Sequence, residues 1–128
     1  MTSISPSFDS TGLADLLDAC NQDQLDALEF GVIGFDNDSI VQRYNAAESQ
    51  AAGLSPQRVI GEPLFTNVAP CLNNFMVAQR FEDAAADASE LDDTIDYVLT
   101  LRMRPIKVKL RLLASAASGT RYVLVQRR

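Results

Sequence analysis

The sequence predicts an α+β fold: a five-stranded antiparallel sheet with short helices on one face and an N-terminal helical cap. Two stretches, 95–103 and 106–112, alternate apolar and polar residues with a period of two. A third stretch, 30–44, holds two short apolar runs separated by the turn sequence Asp36-Asn37-Asp38-Ser39. Hairpin-linked strands with one apolar face indicate an antiparallel sheet that is half exposed to water. Because the helical segments are grouped between the strands, the class is α+β.

The composition of this 128-residue chain is that of one ordinary globular domain. Apolar residues make up 47% and charged residues 22%, and the net charge is −6 from 17 acidic and 11 basic residues. An acidic chain repels phosphate backbones, so nucleic acid is not an expected partner. We predict a single domain over 1–128, with a cap at 1–28 and a core at 29–126.

The N-terminal segment carries no recognisable targeting signal. Residues 1–10 are rich in Ser and Pro and lack the basic region and apolar run of a signal peptide. No apolar run approaches the roughly 20 residues of a membrane span, and two cysteines suit a reducing compartment, so we expect a cytoplasmic protein without membrane contact. Thr11 is expected to cap a short helix whose apolar stripe is Leu13, Leu16, Leu17 and Cys20.

The first hairpin leads directly into a helix. Strands are predicted at 30–35 and 40–44, and the next residue, Asn45, is a favourable N-cap. Glu48 follows three residues later, which is the capping-box position. The helix is expected to stop near Gly53.

The second half of the chain contains a loop, one longer helix and the remaining strands. Pro56 is expected at the first position of a helical turn, and 61–74 is expected to be an irregular loop. A helix is predicted at 75–88, because five apolar residues there share one face: Val77, Phe81, Ala84, Ala85 and Ala88. Pro105 separates the two alternating stretches, and a turn at 118–120 precedes a last strand at 122–126.

Three side chains carry the unusual chemistry of the chain: the Tyr44 phenol, the Glu48 carboxyl and the Cys71 thiol. Each has a plainer interpretation, since Tyr44 can simply end a strand, Glu48 can be only a capping-box acid, and Cys71 can be an inert buried thiol. Met103 likewise continues an apolar stripe. The chain contains no histidine, and thiol hydrolases generally need such a base, so we predict no enzymatic activity, no catalytic residue and no metal site.

Four segments together resemble the photoactive yellow protein family, PAS-fold blue-light receptors of bacteria. They are YNAAE at 44–48, VIGEPLF at 59–65, VAPC at 68–71 and PIKVKL at 105–110, and the resemblance runs from about Leu16 to about Val125. It implies 4-hydroxycinnamic (p-coumaric) acid as a covalent chromophore, bound as a thioester to Cys71.

The resemblance also implies the remaining site. Tyr44 and Glu48 would hold the chromophore phenolate, and Met103, two residues before Pro105, would gate recovery of the dark state. Further pocket residues would be Ile33, Ala52, Leu54, Val68, Ala69, Pro70, Tyr97 and Leu99. Light would drive trans–cis isomerisation, Glu48 would pass its proton to the phenolate, and partial unfolding that begins with the cap would carry the signal to an unknown partner or a fused kinase.

The chain departs from the family pattern after YNAAE. Ala52 and Leu54 stand where the family prototype has a Thr that hydrogen-bonds near the Tyr and an Arg that covers the phenolate. Their absence is expected to raise the chromophore's pKa, unless another arginine such as Arg58 or Arg80 compensates. The alternative to a photoreceptor is a PAS module that binds another small ligand, or that only dimerises, which would leave Cys71 without a role.

Overall fold

The computed structural model describes residues 7–100, 105–115 and 119–127. A helical N-terminal part leads into two strands, a run of short helices, and three further strands. In chain order the elements are α1 Leu13–Ala19, α2 Gln22–Asp26, β1 Gly31–Phe35, β2 Val41–Tyr44, α3 Ala46–Ala52, α4 Pro56–Val59, a π-helical turn Leu64–Val68, a 3-10 turn Pro70–Leu72, α5 Ala78–Asp87, β3 Leu91–Leu99, β4 Ile106–Ala114 and β5 Arg121–Arg127.

The five strands form one antiparallel sheet in the order β2-β1-β5-β4-β3. The chain begins the sheet with the hairpin β1–β2, crosses one face through the helices, and returns with β3, β4 and β5. β1 and β5 pair at the centre, with Ile33 opposite Val123 and Gly31 opposite Val125. The predicted α+β class with a five-stranded antiparallel sheet is therefore confirmed.

One face of the sheet is covered by α3, α4, α5 and the two turns between them. The apolar side chains there form an inner cluster, to which the sheet contributes Ile33, Phe35, Leu110, Leu112, Val123 and Val125 and the helical segment contributes Val59, Leu64, Leu72 and Phe81. Burial of this much apolar surface is the main stabilisation of the fold.

The opposite face is covered in part by the N-terminal cap, which is described over residues 7–28. Phe8, Leu13, Leu17, Leu25 and Leu28 pack there in a second cluster, the cap cluster, against Val32, Leu113, Tyr122 and Leu124 of the sheet. The expectation of a sheet with one face open to water is therefore wrong at β1, β4 and β5. Its physical reason is that these strands carry apolar residues on both faces, as the unbroken burial of β1 shows.

Two arginines of the sheet donate hydrogen bonds to backbone carbonyls of the cap. Arg111 of β4 donates to the carbonyls of Phe8 and Ser10 at 2.9 and 2.8 Å and forms a salt bridge with Asp92. Arg43 of β2 donates to the carbonyls of Leu17 and Cys20. Charged donors to carbonyls form stronger hydrogen bonds than neutral ones, so these contacts fix where the cap lies on the sheet.

Helix α1 begins one residue later than expected. Its N-cap is Gly12, in the left-handed region at φ 65°, so the prediction that Thr11 caps the helix is wrong. Within the predicted apolar stripe, Leu13 and Leu17 are buried, Leu16 is 42% exposed, and Cys20 is half-buried just beyond the helix. The buried stripe is shorter than predicted because the helix has only seven residues and ends before Cys20.

The segment 61–74 is ordered into two helical turns, which corrects the expectation of an irregular loop. The N–H groups of Val68 and Ala69 donate to carbonyls five residues back, those of Pro63 and Leu64. Such π-helical turns are rare and often lie at functional sites. No local pattern in the sequence distinguishes this turn from a loop, because its hydrogen bonds follow from how the segment packs on the inner cluster.

Helix α5 is shorter than the predicted 75–88. The Asn74 side chain accepts hydrogen bonds from the N–H groups of Met76 and Val77, so the chain turns there before the helix begins. Phe75 is left 79% exposed, and Ala88 ends the helix in the left-handed region. Of the predicted apolar face, Ala85 and Ala88 are exposed, while Val77, Phe81 and Ala84 are buried.

β3 follows the predicted alternation, whereas β4 is buried without a break from Leu110 to Ala114 and β5 from Tyr122 to Val125. β3 begins at Leu91, four residues before the alternation noticed at 95, and β5 reaches Arg127 rather than 126. The predicted β3 residues 101–103, including Met103, and Ser118 of the predicted turn lie outside the described residues. None of the helices in the described ranges is long and apolar enough to cross a membrane.

Candidate functional site

The candidate site lies on the helical side of the sheet, around the inner cluster. Eight of the predicted site residues belong to that cluster or pack against it: Ile33, Tyr44, Leu54, Val68, Ala69, Cys71, Tyr97 and Leu99. Glu48 and Ala52 are also buried, at 2% and 5% exposure. Pro70 is exposed. Of the three side chains that the sequence singled out, Tyr44 lies in the inner cluster, Cys71 packs against it, and the charge of Glu48 acts on the Tyr44 phenol.

Cys71 is held in place by its backbone. It lies in the 3-10 turn Pro70–Leu72, half-buried, with its side chain against the inner cluster. The Tyr97 hydroxyl donates to the Cys71 carbonyl at 2.5 Å, and the Asn74 amide donates to the Tyr97 oxygen and to the same carbonyl. The thiol is therefore on a fixed turn at the margin of an apolar core, while remaining partly accessible.

Tyr44 ends β2 with its side chain 1% exposed in the inner cluster. Burial raises the pKa of its phenol well above the usual value, and the charge of Glu48 raises it further, while the charge of Arg127 lowers it. Tyr44 is therefore a hydrogen-bond donor throughout the physiological pH range.

Glu48 lies on α3, and its carboxylate is bound by an arginine. Arg127, the last residue of β5, donates to both carboxylate oxygens, with Nη1–Oε1 and Nη2–Oε2 distances of 2.8 and 3.1 Å. The capping-box interpretation of Glu48 is wrong, because α3 is capped by the Asn45 side chain alone. Within the described chain, no hydrogen bond joins Glu48 to the Tyr44 phenol.

Arg127 and Gly31 were missed by the sequence reasoning. The signal for Arg127 was present, since a period of two from Val123 and Val125 places residue 127 on the same face of β5. Gly31 allows Glu48 to lie where it does, because a Cβ at Gly31 would come within 2.1 Å of Glu48 Oε1. Of the two arginines expected as substitutes, Arg80 pairs with Asp93, and Arg58 is exposed.

Asn45 joins the site to the N-terminal cap. Its side-chain oxygen accepts from the N–H groups of Glu48 and Val32, and its amide donates to the carbonyls of Leu25 and Phe30, all within 2.9–3.1 Å. The side chain is fully buried. One amide therefore caps the helix that carries Glu48 and also binds the cap at Leu25 and the chain at Phe30 that leads from the cap into β1.

Replacing Asn45 with alanine is expected to lower the free energy of unfolding by about 3 kcal/mol, since the change removes a helix cap and leaves buried donors and acceptors unpaired. Asn21→Ala is the matched control, because Asn21 caps α2 on an exposed site and should lose only about 1 kcal/mol. Urea unfolding of both variants measures the difference. Equal losses would mean that the buried bonds of Asn45 add nothing to its role as a cap.

Comparison with known proteins identifies the fold of the chain. A family model described as a PAS fold matches residues 25–125. The fold also superposes on the photoactive yellow protein domain from the sensor histidine kinase Ppr of Rhodospirillum centenum with a TM-score of 0.81 and 33% identity, covering 88% of this chain and 98% of that one. The chain thus has the PAS fold.

Two relatives define the family more closely. Photoactive yellow protein of Rhodothalassium salexigens is 35% identical over 90% of this chain and 88% of its own length. Photoactive yellow protein of Halochromatium salexigens is 32% identical over 94% of this chain and 95% of its own length. The chain belongs to the photoactive yellow protein family of PAS photoreceptors.

Proposed function

We propose that this protein is a blue-light photoreceptor that carries p-coumaric acid as a thioester on Cys71. The observation that carries the proposal is the shared position of Cys71 and Tyr44 at one buried apolar cluster, with Glu48 buried beside it, in a chain of the photoactive yellow protein family. The proposed attachment is an acyl transfer. The acyl carbon of an activated p-coumaric acid bonds to Sγ of Cys71, and the thiol proton and the activating group leave.

The residues of the site fit such a group. A planar aromatic acyl chain requires apolar walls, and the proposed walls are five residues that belong to the inner cluster or pack against it, as Tyr44 and Cys71 do: Leu54, Val68, Ala69, Tyr97 and Leu99. A phenolate oxygen buried among apolar residues requires hydrogen-bond donors, and the Tyr44 phenol stays protonated because its pKa is raised by burial. When bound, the group absorbs blue light and isomerises about its vinyl bond.

Glu48 is the proposed second donor and the proton source. Beside a buried phenolate the Glu48 carboxyl stays protonated, because a second negative charge there is unfavourable. After isomerisation Glu48 gives its proton to the phenolate oxygen, so one O–H bond breaks, another forms, and the negative charge moves to the carboxylate. Because Asn45 binds both the N–H of Glu48 and the carbonyl of Leu25 in the cap, a displacement of α3 would be transmitted to the cap.

The proposed output is a change of surface rather than a reaction product. Loosening of the cap would uncover the cap cluster on the far face of the sheet for a partner protein or a fused kinase. The photoactive yellow protein domain of Rhodospirillum centenum belongs to a sensor histidine kinase, which supports an output of this kind. We further propose that the chain functions as a single sensor domain in the cytoplasm, with no enzymatic activity.

The test is reconstitution of the pigment-free protein with activated p-coumaric acid. We expect a yellow product, one coumaroyl adduct by intact mass, and loss of the visible band under blue light followed by recovery in the dark. Free p-coumaric acid without an activating group is the control and should give neither colour nor adduct. A colourless protein after reconstitution would contradict the proposal and favour a PAS module that binds another ligand or only dimerises.

A further inference from the structure

The salt bridge between Glu48 and Arg127 is a strong contact at the site that the proposed function does not use. It is bidentate, with both carboxylate oxygens bound, and the two side chains are 2% and 20% exposed. The exposed pair Arg80–Asp93 differs from it, with side chains 39% and 43% exposed. A shielded bidentate pair of this kind is screened far less by water than an exposed one.

The backbone around Glu48 is shaped for this contact. Gly31 of β1 pairs with Val125 of β5, and Arg127 follows two residues later on the same face. Because Gly31 has no Cβ, the Glu48 oxygen that binds Arg127 Nη1 can lie directly over the strand. The carboxylate thus lies close against β1 at Gly31 while Arg127 of β5 binds both of its oxygens.

Arg127 stabilises Glu48 as a carboxylate far more than as a neutral acid. A buried carboxylate without a partner is strongly unfavourable, and a bidentate guanidinium offsets much of that cost. A neutral carboxyl gains much less from the same guanidinium, because the charge–charge attraction is lost. Arg127 Nε is buried and finds no acceptor within the described part of the chain, where the guanidinium is bound through Nη1 and Nη2 to Glu48.

We infer that Arg127 is the positioning residue that receives the Glu48 carboxylate after proton transfer. The inference rests on the proposed function, in which Glu48 loses its proton. Glu48 then has two positions: as a neutral acid it donates to the phenolate, and as a carboxylate it binds Arg127. The negative charge is therefore paired inside the fold after illumination, and this limits how far the cap loosens.

The first experiment uses the pigment-free protein and asks whether the pair is energetically coupled. Glu48→Gln, Arg127→Met and the double variant form a double-mutant cycle in thermal unfolding. Each single change is expected to lower Tm by about 10 °C, and the double variant should lose clearly less than the sum. Arg127→Lys should recover part of the loss, and Arg80→Met, which breaks the exposed pair, should shift Tm by less than about 3 °C.

The second experiment uses the pigmented protein and measures amide hydrogen exchange of the cap in the dark and under continuous blue light. Arg127→Met is expected to show at least about a tenfold larger light-induced increase in exchange than the parent, which corresponds to the loss of roughly 1.4 kcal/mol of protection. Arg127→Lys should behave nearly as the parent does, because it keeps the positive charge.

The outcomes separate the inference from the function on which it rests. Additive effects in the cycle, or a light response of Arg127→Met equal to that of the parent, would refute the role of Arg127 and leave the photoreceptor intact. A parent that takes up no pigment, or whose cap exchange does not respond to light, would refute the proposed function and the inference with it.

Discussion

Replacing Cys71 with serine is expected to abolish stable pigment attachment. A thiol ionises to a small but useful fraction near neutral pH and is intrinsically nucleophilic, whereas a serine hydroxyl without an adjacent base is not. The substitution keeps nearly the same size on a turn that is fixed by its own backbone, so the fold should persist. Intact mass and visible absorption after reconstitution measure the loss, and thermal unfolding confirms the fold.

Cys20→Ser is the matched control. Cys20 is also half-buried, but it lies at the end of α1 in the cap, where its thiol donates to the Leu16 carbonyl. This variant should retain the full adduct and colour. Peptide mapping that located the adduct on Cys20 would contradict the assignment of the site.

Glu48→Gln is expected to move the visible band to longer wavelength and to suppress light-induced loosening of the cap. An amide is a poorer donor than a neutral carboxyl, so the phenolate charge is less localised on its oxygen. An amide also has no proton to transfer, so no carboxylate forms after isomerisation. The measurements are the dark absorption spectrum and the light-minus-dark difference in amide exchange of residues 7–28.

The difference measurement is necessary because the amide is a poorer donor to the phenolate, so the dark exchange of the variant differs from that of the parent. Glu82→Gln, on an exposed position of α5, is the control for removing one negative charge and should change neither quantity. A light-induced exchange in Glu48→Gln equal to that of the parent would mean that charge movement to Glu48 does not drive the loosening.

Much of the fold was predictable because it rests on local patterns. The alternation in β4 places Val108, Leu110 and Leu112 on the inner side, as predicted. Asn45 caps α3, and Gly53 ends it in the left-handed region at φ 72°. In each case the residue's own chemistry determines the local backbone, so neighbouring residues suffice to identify it.

The predictions for Glu48 and for the cap-facing side of the sheet were wrong, because contacts between residues far apart in the sequence determine both. Glu48 has the spacing of a capping-box acid, but its side chain is bound by Arg127, 79 residues away. Leu113, Tyr122 and Leu124 face the cap, and their burial depends on residues at the other end of the chain. Spacing reports which residues share a face; it does not report which partner covers that face.

The proposed roles of Cys71 and Tyr44 came from the resemblance to the photoactive yellow protein family and not from residue patterns. Residue patterns alone left Cys71 as an inert thiol and Tyr44 as the end of a strand. The structure shows both at one apolar cluster, but their roles toward a pigment stay a prediction. Arg127 lies outside every motif that carried the resemblance, and its contact with Glu48 came from the structure alone.

The single side chain of Asn45, shared between α3 and the cap, has a thermodynamic consequence under the proposed function. Suppose that light at the pigment weakens the binding of the cap to the sheet. Coupling is reciprocal, so a molecule that binds only the closed cap must favour the dark form by the same coupling free energy. A partner that binds only the closed cap would therefore shift the balance toward the dark form, and a partner that binds the uncovered sheet would prolong the illuminated form. Binding of the partner would then change the balance between the dark and illuminated forms, just as light would change the affinity for the partner.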